Sequence, residues 1–189
     1  YTKFIIEVVN MALLDIVTVP NKVLRTKAKT VKRVDQDIKN LIGNMVETMR
    51  DAPGVGLAAP QVGILSRIIV VEWGDEEDQE APKKLYALVN PEITHHSKET
   101  VLGVEGCLSI PKFVGEVERS ESITIRGLNQ NGQPVKIDAS GWLARIFQHE
   151  VDHLEGILFT DRAESLTMIP DNENPEEIES QAIVIPSEE

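Results

Sequence analysis

The apolar residues of this chain change period along its length. Between Asp35 and Met49 they fall at Ile38, Leu41, Ile42, Met45, Val46 and Met49, in steps of three and four. That spacing predicts an amphipathic helix, with Asp35 as N-cap and Pro53-Gly54 as the stop. Gly54–Gly63 reads as a glycine-rich loop. Short β-branched or alternating runs then predict strands at Arg67–Val71, Leu85–Val89, Val114–Glu118, Ser122–Leu128 and Val135–Ile137. The strand from Leu85 is expected to stop at Asn90-Pro91, and the acidic Gly74–Glu80 before it to form a hairpin tip. Asn131-Gly132 predicts a hairpin between the last two strands. A second helix follows, capped by Ser140, with Trp142, Leu143, Ile146 and Phe147 as a buried stripe. Helix, antiparallel-type strands and helix, without strand–helix alternation, place the fold in the α+β class.

Composition narrows this picture. With 189 residues, 41% hydrophobic and 26% charged, the chain suits one soluble domain with a sizeable core. No apolar run reaches the roughly 20 residues of a membrane span. The formal net charge is −12, which gives nucleic-acid binding no support. Eight of the acidic residues lie beyond Arg162, where no Lys or Arg follows. Residues 164–189 are therefore expected to be an acidic, weakly structured tail, with Ala182–Ile185 able to add an edge strand. Residues 11–163 form the one expected folded domain. Tyr1–Asn10 reads as a leader or a foreign leading segment outside it. Cys107 is the only cysteine, so no internal disulfide is expected and a reducing compartment fits.

The candidate chemistry sits in Gln148-His149-Glu150-Val151-Asp152-His153. On a helix, His149 and His153 lie one above the other and can share a cation, with Glu150 able to reach a water on it. Continuing the apolar stripe by three and four residues lands on His149, Glu150, His153 and Leu154. These ionisable groups thus fall on a buried face, where they need a metal or hydrogen bonds. Two histidines four apart are commonplace, and a lone cysteine is usually a small buried hydrophobe. Here the helix still lacks a third ligand, and Cys107, in Glu105-Gly106-Cys107-Leu108-Ser109, offers a thiolate suited to a transition metal.

Three segments together resemble the motifs of the peptide deformylase family: Gly54–Gln61 (GVGLAAPQ), Glu105–Ser109 (EGCLS) and Gln148–Gly156 (QHEVDHLEG). The resemblance runs from about Met11 to Asp161. It implies antiparallel β-sheets packed around a central metal-binding helix, with the amphipathic helix N-terminal to them. It implies a metal hydrolase that removes the formyl group from N-formylmethionine on nascent polypeptides. Cys107, His149 and His153 would be ligands to Fe(II), with Zn(II), Ni(II) or Co(II) as substitutes. Glu150 would be the catalytic acid and base, and the Gln61 side chain and Leu108 N–H the oxyanion donors. The implied setting is cytoplasmic, bacterial or an organellar matrix. The protein would be a monomer meeting its substrate transiently at the ribosome, without a membrane or nucleic-acid partner.

The residues agree chemically with that reading. A divalent ion acidifies a bound water and polarises the formyl oxygen, while Glu150 moves the proton. Val55, Gly56, Leu57, Gly106, Trp142 and Ile146 flank these groups in sequence and are the candidate lining of a methionine pocket. Glu105 and Arg145 are candidate orienting groups. Asp152 reads equally well as a solvated surface pair. His95 and His96 read as surface residues between strands, and Pro170 and Pro175 oppose a long terminal helix. A zincin-type endopeptidase would need a third ligand after His153, where only carboxylates such as Asp161 and Glu164 remain. A structural metal module would need neither Glu150 nor Gln61.

Overall fold

A computed structural model describes residues 12–74 and 82–170. Two helices, α1 (Gln36–Asp51) and α2 (Gly141–Glu155), accompany eight strands. These are β1 (Gly56–Ala58), β2 (Ile68–Trp73), β3 (Lys84–His96), β4 (Thr100–Cys107), β5 (Ile110–Ser120), β6 (Ser122–Leu128), β7 (Pro134–Ser140) and β8 (Ser165–Met168). One sheet has the order β1-β2-β3-β6-β7 and the other β4-β5-β8. Every ladder between these strands is antiparallel, and two of them, β3–β6 and β5–β8, join strands that are not consecutive in the chain. No helix among the described residues is long and apolar enough to cross a membrane.

The continuous apolar run in β2 explains the layering. Ile68 and Val70 point to one face, with Ile42, Met45, Val46 and Met49 of α1. Ile69 and Val71 point to the other, with Ala144, Phe147 and Leu154 of α2. A strand buried on both faces has no polar alternation to show. Asp35 caps α1 by accepting the Ile38 N–H at 3.1 Å. The opposite side of α2 sends Arg145, Gln148, His149 and Asp152 toward β4 and β5. That side leads from the large sheet to the small one.

Several elements differ from expectation. The Gly54–Gly63 loop contains β1 and a single 3-10 turn, Ala59–Val62, because Leu57 is buried and pairs with Val70. β3 runs through Asn90-Pro91. Asn90 takes φ 53°, its side chain binds both the N–H and C=O of Val31, and a register shift skips the proline. His95 and His96 are exposed as expected, but they belong to this strand. β4 was not foreseen, since Gly103 and Gly106 interrupt its pattern. Ser165–Met168, assigned to the tail, pairs with β5 as an edge strand. Ser140 occupies the N-cap position of α2, but its side chain makes no capping bond. Trp142 is 39% exposed and not part of the buried stripe. It lies in the first helical turn, under the Arg145 guanidinium. The expected hairpin tip beyond Gly74, the leading ten residues and Ala182–Ile185 lie outside the described residues.

Candidate active site

Cys107 ends β4, and His149 and His153 lie one turn apart on α2. One ligand atom from each falls within 4.8 Å of the other two. Cys107 Sγ is 3.3 Å from His153 Nε2. His149 Nδ1 donates to Glu105 Oε2 at 2.9 Å, which leaves its Nε2 for the site. Burial disfavours charge on His149, but Cys107, Glu105 and Glu150 outweigh it and raise its pKa well above the usual value. Burial, with the positive charges of His149 and Arg119, pushes His153 well below that value, so it stays a neutral donor. One thiol and two imidazoles in a buried cluster fit a divalent transition metal. Two buried atoms, Glu150 Oε2 and His153 Nδ1, have no partner among the described residues. The donor set, with His153 Nε2 facing the Cys107 thiol, is what would hold a metal, and the unpartnered Glu150 Oε2 is the polar atom left for a water beside it.

Glu150 adjoins the cluster and is 3% exposed. Burial lifts its pKa from 4.5 to about 7. Burial thus moves this carboxyl toward the range in which one group can both take and return a proton. A Cβ on Gly56 would lie 2.4 Å from Glu150 Oε1, so β1 presses directly on this carboxylate.

Gln61, 1% exposed, is held with a defined orientation. Its Oε1 accepts the Ala58 N–H at 2.8 Å, and its Nε2 donates to Ser109 Oγ at 3.2 Å and toward Cys107 Sγ at 3.5 Å. The NH₂ end is therefore turned into the site. Leu108 follows Cys107 in the turn out of β4.

A cleft of about 1020 Å³ opens beside these groups. Val55, Gly56, Gly106, Trp142 and Ile146 line it, together with Gln61, Cys107, Leu108, His149 and Glu150. Leu57 is a correction: its side chain is fully buried between α1 and β2, away from the cleft. Asp152 is another. It is 7% exposed and accepts from Arg119 Nη1 at 2.6 Å and from Arg162 at 2.6 and 2.7 Å.

The polypeptide deformylase family model matches residues 13–168. The chain belongs to that family. It is 49% identical over 179 residues to a peptide deformylase of Symbiobacterium thermophilum, covering 95% of this chain and 80% of that one. It is 47% identical over 152 residues to peptide deformylase 1 of Bacillus subtilis, covering 80% and 91%. Among solved structures, a class I type b peptide deformylase from Acinetobacter baumannii with Met-Ala-Ser bound aligns with TM-score 0.74 and 39% identity. That alignment covers 80% of this chain and 99% of the other. The deformylase from Thermotoga maritima gives TM-score 0.75 at 41% identity, covering 82% and 99%. The chain is thus a peptide deformylase by family, an enzyme acting on peptides, and the family is metal-dependent.

One further residue of this deformylase site escaped the motifs. Arg119, 5% exposed, grips Glu105 through Nε at 2.8 Å and Nη2 at 2.9 Å. Arg145 adds a bond to Glu105 at 2.9 Å. Burial pushes the Glu105 carboxyl up, but Arg119 and His149 outweigh it and hold its pKa at about 2. A signal existed: in β5, Gly115, Val117 and Arg119 alternate inward, so the arginine falls on the buried register.

Proposed function

We propose that the chain removes the formyl group from N-formylmethionine at the start of nascent polypeptides, releasing formate. The observation that carries this is Glu150, a buried carboxylate with a free Oε2 beside a Cys/His/His cluster and the oriented Gln61 amide. The Met-Ala-Ser held by the Acinetobacter relative is the peptide that deformylation of formyl-Met-Ala-Ser would leave.

Cys107, His149 and His153 would hold the ion, with α2 as the central metal-binding helix. Iron(II) is the assignment for the cell, and Zn(II), Ni(II) or Co(II) for purified protein. Such an ion supplies Lewis-acid polarisation and acidifies water. The chain's own groups do the rest. Glu150 Oε2 takes a proton from the attacking water and returns one to the departing amine nitrogen. Gln61 Nε2 and the Leu108 N–H donate to the oxygen on which charge develops. Glu105 keeps His149 in one tautomer. Val55, Trp142 and Ile146 offer apolar surface to the methionine side chain, and the short edge strand β1 offers backbone groups to the peptide. The substrate is met transiently at the ribosome by a monomer, in a bacterial cytoplasm or organellar matrix.

An endopeptidase reading loses its third ligand. Asp161 is taken by Arg25 and the Leu158 N–H, and Glu164 is exposed on the approach to β8. The deciding test is formate release from formyl-Met-Ala-Ser by Ni(II)-loaded protein, with Glu150→Ala alongside. Rapid release that the substitution abolishes supports the proposal. A folded, loaded protein that releases no formate refutes it.

A further inference from the structure

Asp152 lies between the two histidines on α2, yet it is far more than a spacer. Arg162, in the turn after the short helix Phe159–Asp161, closes on both of its oxygens: Nε to Oδ2 at 2.6 Å and Nη2 to Oδ1 at 2.7 Å. Arg119 Nη1 meets the same Oδ2 at 2.6 Å. Arg119 then grips Glu105, and Glu105 accepts from His149. The ionic chain therefore runs Arg162, Asp152, Arg119, Glu105, His149. Its inner members are almost completely buried, whereas the Arg162 side chain is 44% exposed.

We propose that Arg162 is a positioning residue for the metal ligands, acting through this chain. The reason is geometric. Arg119 must satisfy two carboxylates with one planar fork, and fixed carboxylates are what fix the fork. Asp152 is pinned from outside by two parallel bonds to Arg162. Without them Asp152 follows Arg119 alone, the fork loses its second fixed point, and Glu105 holds the His149 ring less sharply. The guanidinium matters as well as its charge. A lysine reaches the carboxylate as a point charge without the bidentate grip, and glutamine has no charge to offer. Nothing about Arg162 touches the cleft, so its effect falls on metal retention and ligand geometry and leaves peptide binding alone.

The proposal rests on Cys107, His149 and His153 being the ligands. It is tested on full-length protein by anaerobic Co(II) titration against a competing chelator, recording the thiolate-to-metal and d–d absorption bands. The variants are R162A, R162K and R162Q. R25A is the control, because Arg25 pairs with Asp161, the neighbouring residue, and has no bond to Asp152. An outer partner touching a ligand typically contributes 10–100-fold in affinity, so a partner three links further out is expected to contribute about 3- to 10-fold. The expected result is that loss for R162A and R162Q with altered band intensities, partial recovery in R162K, and wild-type behaviour in R25A. R162A or R162Q within twofold of wild type, with an unchanged spectrum, would overturn the proposal. So would an equal loss in R25A, which would reduce Arg162 to a general support of that turn. Wild-type protein that binds no Co(II), or binds it without a thiolate band, would instead overturn the ligand assignment and the proposal with it. KM for formyl-Met-Ala-Ser at saturating metal is expected to stay unchanged in every variant.

Discussion

Gly56→Ala is the smallest perturbation that addresses the chemistry directly. Gly56 lies in β1, paired with Val71, and its backbone is ordinary strand, so conformation is no obstacle to alanine. The obstacle is Glu150. The new Cβ would sit 2.4 Å from Oε1, 2.9 Å from Cδ and 3.0 Å from Cγ. Ordinary contact begins near 3.4 Å, so the carboxylate must retreat by about 1 Å. Because Cγ is crowded too, rotating the terminal oxygens does not suffice, and α2 is packed on the sheet behind it. A misplacement of about 1 Å typically costs about 10²-fold in rate, or roughly 2.7 kcal/mol of barrier. Overpacking adds a stability loss of about 1–3 kcal/mol. The assay is kcat and KM for formyl-Met-Ala-Ser on metal-loaded G56A, with thermal unfolding in parallel. kcat is expected to fall and KM to hold. In E150A, which removes the clashing atoms, adding G56A is expected to cost little further stability. A folded G56A enzyme with kcat within threefold of wild type would refute the reasoning, because Glu150 would then be free to move without loss.

Other consequences follow from the same geometry. Gln61→Ala removes a proposed oxyanion donor, and kcat is expected to fall about 10²–10³-fold; a fall below tenfold in steady-state assays would deny it that role. Glu105 has its pKa depressed from 4.5 to about 2, so its stabilising contribution is present above 4.5 and is lost as pH falls toward 2. That gap corresponds to ~3 kcal/mol, of which ~2 kcal/mol is lost between pH 6 and 3; urea unfolding of wild type against E105Q over that range should show it, and parallel curves would contradict it. Gly115→Ala would place a Cβ 2.7 Å from the Ser165 carbonyl oxygen, a backbone atom that cannot rotate away. It is expected to loosen β8 at a cost of about 1–3 kcal/mol, read as a lower melting temperature and earlier proteolysis after Ala163.

Legibility in the sequence followed the range of the interactions. The α1 cap, the β2 run, the β6–β7 hairpin at Asn131-Gly132 and the i, i+4 histidines are local patterns, and each could be read from a few adjacent residues. β4 and β8 were missed because an edge strand buries little and so carries little periodicity. Asn90-Pro91 was misread as a stop because its compensation comes from Val31, 59 residues away. Asp152 stayed open because a carboxylate between two histidines can be solvated or paired until Arg119 and Arg162 arrive from other elements.

By itself, then, the sequence determined the class of fold, the family and the candidate ligands and proton-transfer group. Motif spacing and hydrophobic period depend only on which side chains share a face of one element. The tertiary structure alone decided that Cys107 meets the two histidines, that Gln61 turns its NH₂ inward, and that Leu57 belongs to the core. It also decided how a buried ionic chain ties His149 to Arg162. These are contacts between residues far apart in the chain. Their energies depend on burial and on partners supplied by other elements, quantities that no local pattern contains.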